Sequence, residues 1–210
     1  PDAIFGLGVG SIGDGLVSDT GSVLRAHSVF VGRDGGTGQL AIANGAELRT
    51  EITAQGSATR EGETYLGWDN ASTGEVADGM LAVYGEDAGN IATFNNAASI
   101  FVGVEGRGEL RIGRDLDGNT VGSGVVNAAS LIVGDADGND LDNLVVVDGA
   151  NAQVNTTGSI VVGDAGRGVW ESFNGSTTTA GTSFNVGVRD GSVSTALFDG
   201  TGTTLTALNL

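Results

Sequence analysis

A short apolar segment that ends in glycine recurs along the chain and marks its organisation. Its six clear copies are Ser28–Gly32, Thr64–Gly67, Ser99–Gly103, Ser130–Gly134, Ser159–Gly163 and Ser183–Gly187. We call these the anchor segments and their last residues the anchor glycines. Most of their other residues are β-branched, aromatic or leucine, which favours extended strands, and helical spacing of apolar residues is absent. The pattern therefore predicts repeats that each begin with a short buried strand.

A second strand follows most anchor segments and ends at a corner of small residues. These corners are Asn44-Gly45, Tyr84-Gly85, Asp148-Gly149, Asn174-Gly175 and Asp199-Gly200. Asn, Asp and Gly tolerate the left-handed backbone that such a corner requires. Because side chains alternate along a strand, we expect Leu40, Ile42, Val169 and Phe173 to face an interior and Glu171 to face water.

The anchor glycines are 35, 36, 31, 29 and 24 residues apart. The shortest interval suits one coil of three strands, and the longer ones suit either coils with insertions at their corners or one and a half coils. Stacked coils pair their backbones and share a continuous apolar core. We therefore predict an all-β, single-stranded parallel β-helix, or β-solenoid, of about seven coils with corner insertions.

The repeat pattern divides the chain into two parts. Residues 1–27 are less regular, and we interpret them as an N-terminal coil or cap. Residues 28–210 are expected to form one continuous solenoid domain. The last strand, Thr203 to Leu210, is expected to leave an unpaired edge, so that either more chain follows or another subunit pairs there.

Three stretches carry a resemblance to a known class of proteins. They are Val162–Gly168 (VGDAGRG), Val147–Val154 (VDGANAQV) and Phe198–Leu205 (FDGTGTTL). The pattern resembles the passenger-associated repeats of autotransporter (type V secretion) and PEP-CTERM-linked bacterial surface proteins, over residues 28–208. The resemblance implies a right-handed β-helix, secretion, and a location at or beyond the outer membrane.

Composition and charge restrict the functions that the chain can have. Glycine makes up 38 of 210 residues, about 18% against roughly 7% in average proteins, which indicates many tight turns. The formal net charge is −17 and the chain has no lysine, so the surface repels nucleic acid. No apolar run is long enough to span a membrane as a helix. Cysteine is absent, which excludes disulfides and thiolate chemistry.

Two acidic turns are candidate Ca²⁺ sites because carboxylate and amide oxygens are the ligands that this cation prefers. The candidate ligands are Asp115, Asp117 and Asn119 in the first turn, and Asp135, Asp137, Asn139 and Asp140 in the second. Neither turn has the bidentate glutamate and flanking helices of an EF-hand. The alternative is that both are ordinary solvated turns, and no other cofactor is expected.

No catalytic set of residues stands out, and we expect no enzymatic activity. His27 is the only histidine, and it has no evident partner for nucleophilic or acid–base catalysis. Trp68, Trp170, Tyr65 and Tyr84 would suit either a sugar-binding face or packing in the core and at corners. Packing is the better-supported interpretation.

These observations favour a secreted, non-catalytic structural or adhesive β-solenoid, such as a stalk, adhesin passenger or fibre segment at the bacterial surface. The expected partner is the protein itself, by end-to-end stacking, or further repeats of a longer chain. A host or cell-surface protein or glycan would bind the insertions at 49–63, 69–79 and 135–143. The alternative is a carbohydrate-binding or carbohydrate-active β-helix protein.

Overall fold

The protein is a parallel β-solenoid of about seven turns, as the sequence predicts. A computed structural model describes residues 1–52, 61–69, 76–87, 89–135 and 142–210. All regular structure in these residues is β-strand. Among them, no helix is long and apolar enough to cross a membrane. The strands are β1 (Ala3–Leu7), β2 (Ile12–Ser18), β3 (Val23–Ala26), β4 (Val29–Arg33), β5 (Thr37–Ala43), β6 (Glu47–Thr50), β7 (Thr64–Trp68), β8 (Asp78–Tyr84), β9 (Thr93–Asn95), β10 (Ser99–Val104), β11 (Arg107–Ile112), β12 (Ser123–Ala128), β13 (Ser130–Val133), β14 (Asn143–Asp148), β15 (Asn151–Thr156), β16 (Ile160–Val162), β17 (Arg167–Phe173), β18 (Thr177–Val186), β19 (Val193–Phe198) and β20 (Thr204–Asn209).

Each coil contributes one strand to each of three parallel sheets. Sheet A contains β1, β4, β7, β10, β13, β16 and the C-terminal part of β18, and sheet B contains β2, β5, β8, β11, β14, β17 and β19. Sheet C contains β3, β6, β9, β12, β15, the N-terminal part of β18, and β20. Each anchor segment begins one coil, so the alternative of one and a half coils per interval is wrong. Coil 1 is β1–β3, and coil 7 is the end of β18 with β19 and β20.

The first coil is in register with the rest of the solenoid. Strand β1 pairs with β4 so that Phe5 lies opposite Val31 and Leu7 opposite Arg33. Gly6 thereby occupies the position of an anchor glycine, and its φ of 70° is close to the 69° of Gly32. The regular three-strand coil therefore begins at β1.

In-register pairing places equivalent residues of successive coils in columns along the solenoid axis. Three fully buried columns form much of the core: Val31, Leu66, Val102, Val133 and Val162 in sheet A; Leu40, Leu81, Leu110, Val145 and Trp170 in sheet B; Leu48, Phe94, Val126, Val154 and Thr178 in sheet C. The expected interior positions of Leu40 and Ile42 are confirmed. Stacking buries the apolar side chains of each column, which a single coil would leave exposed.

The predicted interior positions of Val169 and Phe173 in β17 are wrong, whereas the predicted outward position of Glu171 is confirmed. Trp170 and Ser172 are fully buried, whereas Val169 and Phe173 lie on the outer side with Glu171. The indole N–H of Trp170 donates a hydrogen bond of 2.8 Å to Ser172 Oγ, and its ring meets Phe184 edge-on at 5.4 Å between centroids. Because Ser172 satisfies the indole, the largest side chain of the strand can fill the core.

The anchor glycines allow neighbouring coils to approach closely. Gly67 has a φ of 65°, and a methyl group on its Cα would lie 1.9 Å from the carbonyl oxygen of Arg107 in the next coil. Gly103 meets the side chain of Asn143 in the same way. Asn143 stands in a column otherwise rich in glycine, where its Oδ1 accepts from the Gly108 N–H at 2.9 Å and its Nδ2 donates to the Arg167 carbonyl at 3.1 Å. Its amide therefore bridges the neighbouring coils.

Replacement of an anchor glycine is expected to disrupt the stacking of coils. Gly67→Ala should lower the free energy of unfolding by about 4 kcal/mol, because it combines left-handed strain with a backbone clash. Gly8→Ala is the matched control, since Gly8 has a φ of 86° but no neighbouring atom within 4 Å of the added methyl group. The control should cost about 1 kcal/mol. Urea unfolding measures both, and equal losses would contradict the proposed role of the close approach.

Candidate functional site

A ladder of asparagine side chains follows the outer face of sheet C. Asn127 Nδ2 donates to Asn95 Oδ1 at 2.9 Å, and Asn155 Nδ2 donates to Asn127 Oδ1 at 3.1 Å. At one end, Asn95 Nδ2 donates to Glu47 Oε1 at 2.7 Å. Pairing of the strands places these side chains in one column, because Asn127 lies in register with both Asn95 and Asn155. The ladder is therefore a direct product of the coil repeat.

A groove of about 510 Å³ lies beside this ladder. Its lining consists of Arg49, Thr50, Asn95, Asn96, Ala97, Asn127, Ala128, Ala129 and Thr157. The Asn96 side chain is committed to the fold, since its Oδ1 accepts from the hydroxyls of Thr50 and Thr64 at 3.1 and 2.8 Å. The ladder amides thus form the part of the lining that faces outward.

An ion pair closes the N-terminal end of the ladder. Arg49 donates to Glu47 Oε1 from both Nε and Nη2, at 3.0 and 2.7 Å. The hydrogen bonds from Arg49 and then Asn95 hold the pKa of Glu47 below its ordinary value. Glu47 is consequently ionised at neutral pH and keeps the Arg49 guanidinium at the edge of the groove.

The ladder leaves hydrogen-bonding capacity on each amide. A side-chain amide has two N–H donors and two acceptor lone pairs. Asn127 uses one donor towards Asn95 and one lone pair towards Asn155. One donor and one lone pair remain, and this is the pair of groups that a hydroxyl can satisfy by accepting and donating at once.

The outer face of sheet C in coils 3 to 7 carries no charged residue in its strands. Its outward positions include Thr93, Asn95, Val125, Asn127, Gln153, Asn155, Thr177, Thr179, Thr204 and Thr206. This contrasts with a chain of net charge −17. The face is therefore suited to a neutral polar ligand rather than to an ion.

A second groove, of about 440 Å³, lies on the outer face of sheet B and is rich in charge. Its carboxylates include Glu109 and Asp142, which are ion-paired. Glu109 contacts Arg111 Nε at 2.5 Å, and Asp142 contacts Arg167 Nε at 2.8 Å. The first pair lies within β11, and the second joins two successive coils, so both carboxylates are engaged with arginine.

The first predicted Ca²⁺ turn is closed by its own hydrogen bonds. Asp115 accepts from the Asn119 backbone N–H at 2.8 Å and from Asn119 Nδ2 at 2.9 Å, one bond to each carboxylate oxygen. Burial acts to raise the pKa of Asp115, but the hydrogen bonds from Asn119 prevail and lower it. Asp117 is exposed in the same turn. Asp115 and Asn119 therefore engage each other.

The second predicted turn lies mostly outside the described residues. Asp137, Asn139 and Asp140 belong to that part, as do most residues of the three insertions expected to bind partners. Burial, followed by the nearby carboxylate of Asp164, raises the pKa of Asp135. No group of three or more acidic or histidine side chains converges on one point among the residues that the structure describes. Calcium binding stays a prediction.

Tyr65 and Trp68 pack against other aromatic residues. Tyr65 stacks between Phe30 and Phe101 on the outer face of sheet A, with centroid distances of 5.2 and 5.0 Å. Trp68 packs beside Tyr65, and Arg33 lies 4.5 Å from the Trp68 ring centroid. Tyr65 and Trp68 are only 7% and 8% exposed. Their ring faces are covered, which favours the packing interpretation over stacking on sugars.

A buried carboxylate fixes the corner between sheets B and C. Asp148 is fully buried and accepts from Arg114 Nε at 2.8 Å, Thr120 Oγ1 at 2.7 Å and Asn174 Nδ2 at 2.7 Å. Burial acts to raise the pKa of Asp148, but the hydrogen bonds from Thr120, Asn174 and Arg114 outweigh it and lower the pKa. The network makes this corner dependent on an ionised carboxylate.

The stabilisation by Asp148 is expected to depend on pH. A carboxyl whose pKa is lowered on folding stabilises the protein above its unfolded pKa of about 3.9, and this contribution is lost as the pH falls through the folded value. Asp148→Asn should therefore lower the free energy of unfolding by roughly 3 kcal/mol at pH 7, with a smaller difference below pH 4. Asp117→Asn, on an exposed carboxylate, should have little effect. A pH-independent loss in Asp148→Asn, measured by denaturant unfolding, would contradict this assignment.

Comparison of the chain with family models, with curated proteins and with solved structures gave no match. The geometry therefore carries the functional argument.

The sequence contains a signal for the asparagine ladder that a search for motifs does not find. Asn95, Asn127 and Asn155 each follow an apolar residue and each precede an anchor segment by three or four positions. They lie eight, seven and eight positions before the anchor glycine that follows, so an alignment on these glycines brings them together to within one residue.

Proposed function

We propose that the protein is a non-catalytic structural or adhesive solenoid that works outside the bacterial cell, as a stalk, an adhesin passenger or a fibre segment. The observation that carries this proposal is the single apolar core that runs through all seven coils. At a spacing of about 4.8 Å per coil, such a stack is roughly 34 Å long. Its repeat pattern resembles that of autotransporter passengers.

The outer surface supports a role as a rigid spacer. A column of alternating charge crosses four coils of sheet B and consists of Asp78, Arg107, Asp142 and Arg167. Arg107 lies 3.5 Å from Asp78, and Arg167 lies 2.8 Å from Asp142. Each exposed pair contributes little alone, but the pairs join successive coils and resist their separation. The net charge of −17 opposes lateral association of neighbouring rods.

The proposed location is tested on intact cells that produce the protein. Added protease should remove the protein from the cell exterior while a cytoplasmic marker in the same cells stays intact, as followed with specific antibodies. A protein that becomes accessible only after lysis would contradict the extracellular role. The same cells supply the control, because the lysed sample shows that the protease cleaves both proteins.

A second function, carbohydrate binding, is favoured by the groove beside the asparagine ladder. Its amides present paired donors and acceptors, and the neighbouring face in coils 3 to 7 lacks charge in its strands. Both features suit the hydroxyls of a neutral polysaccharide. The repeat of the ladder along the solenoid axis suits a polymer that runs across the coils.

Loss of the central ladder amide is expected to abolish this binding. Asn127→Leu should remove the retardation of the protein in native gels that contain hydroxyethyl cellulose or galactomannan, because the apolar side chain cannot bond a hydroxyl. Asn185→Leu is the matched control, since Asn185 lies on the outer face of sheet A. Circular dichroism verifies that both variants are folded. Equal mobility of all proteins with and without polysaccharide would exclude this second function.

A further inference from the structure

Exposed large apolar side chains are concentrated on the two terminal coils. Among the described residues, fifteen such side chains are exposed and twelve of them belong to these coils. They are Ile4, Leu7, Val9, Ile12, Leu16 and Val23 in coil 1, and Val186, Val188, Val193, Leu197, Leu208 and Leu210 in coil 7. Exposure of inward-facing residues is expected at any open end of a solenoid. Several of these residues, however, are on the outer faces.

Three outer-face columns have an apolar residue at both ends. Extension of the strand register past coil 7 places Ile12 next to Val193, Leu16 next to Leu197, and Leu7 next to Val188. All six side chains are about half exposed or more. The middle coils fill the first of these columns with polar residues only: Thr37, Asp78, Arg107, Asp142 and Arg167. Apolar residues thus occur in that column only where a second molecule would cover them.

The inner columns also match across such a junction. The same register sets inward residues of coil 7 against those of coil 1 in the pairs Phe184–Ala3, Val186–Phe5, Ala196–Gly15, Phe198–Val17, Leu205–Leu24 and Ala207–Ala26. All twelve residues are apolar or glycine, so the junction would continue the apolar core from one copy into the next.

Charge does not oppose this contact. Asp14 of coil 1 would lie next to Thr195, and Asp199 of coil 7 next to Ser18. None of the in-register strand positions joins two carboxylates. On a chain of net charge −17, the ends are the places where two copies can approach with little repulsion.

We propose that the protein associates head to tail, with coil 7 of one copy stacked in register on coil 1 of the next copy. The open β-strand edges of the two coils pair and continue all three sheets. The contact is heterologous and repeats in one direction, so it builds filaments rather than closed dimers. This inference deepens the proposed structural function and rests on it.

The last residues of the chain must move when the copies associate. Asn209 pairs with Ser183. In the continued register, Asp2 of the next copy would lie beside Ser183 and would take the place of Asn209. Leu208 and Leu210 are 79% and 86% exposed, so few contacts hold them there. Removal of residues 208–210 should therefore leave association unchanged or make it tighter.

The proposal is tested by blocking one end at a time. Leu16→Glu places a charge on the outer face of coil 1, and Leu197→Glu does so on coil 7. Each variant alone should associate about tenfold more weakly than the unaltered chain or stay monomeric, because the new carboxylate is buried at the junction. Ile52→Glu is the control at a residue that is exposed outside both terminal coils, and it should associate as the unaltered chain does.

Mixing the two blocked variants distinguishes head-to-tail stacking from other contacts. The free coil 7 of the Leu16→Glu protein should bind the free coil 1 of the Leu197→Glu protein, which gives dimers and nothing larger in sedimentation velocity. The unaltered chain should give filaments of constant width in negative-stain electron microscopy. A monomeric unaltered chain at every concentration, or a mixture without dimers, would overturn the proposal. Since protease accessibility on cells does not depend on association, failure of the stacking proposal is separable from failure of the proposed function.

Discussion

The structure depends on the close, in-register contact between backbones of successive coils. The parallel sheets hold neighbouring strands roughly 4.8 Å apart, and the corner after each anchor segment must turn within that spacing. At Gly67 there is no room for a side chain, because the Arg107 carbonyl occupies its place. At Asn143, which stands in another column otherwise rich in glycine, the side-chain amide bonds the backbone of both neighbouring coils. The spacing of the coils therefore decides which residues the corners accept.

Regular spacing makes each column of side chains a unit with its own property. Inner columns pool apolar area, and a residue such as Trp170 is accepted where Ser172 satisfies its indole. Outer columns repeat one chemical group at each step, as the amides do from Asn95 to Asn155. A side chain that would be weak alone becomes an extended surface. Function on such a scaffold is accordingly expected in columns rather than in single residues.

The sequence predicted the fold class because anchor segments recur with a glycine that the geometry requires. It did not predict which side of β17 faces inward, since Val169 and Trp170 are both apolar and alternation alone leaves the phase open. The asparagine ladder was missed because its members are far apart in sequence and become neighbours only through register. The acidic turns illustrate the reverse problem. Composition draws attention to Asp115, whereas the structure engages both of its oxygens with Asn119.

The ends and the sides of the solenoid differ in how their polar groups can be satisfied. A side surface is complete once its polar groups meet water, but the strand edges of a terminal coil keep unpaired N–H and C=O groups however polar their side chains become. Partly buried Phe5 and Phe198 add apolar area at these edges. Covalent continuation of the coils and stacking of a second copy satisfy the same groups by the same contacts. In the proposed stacking, the apolar outer residues Ile12 and Val193 cover each other, although their column is polar throughout the middle coils.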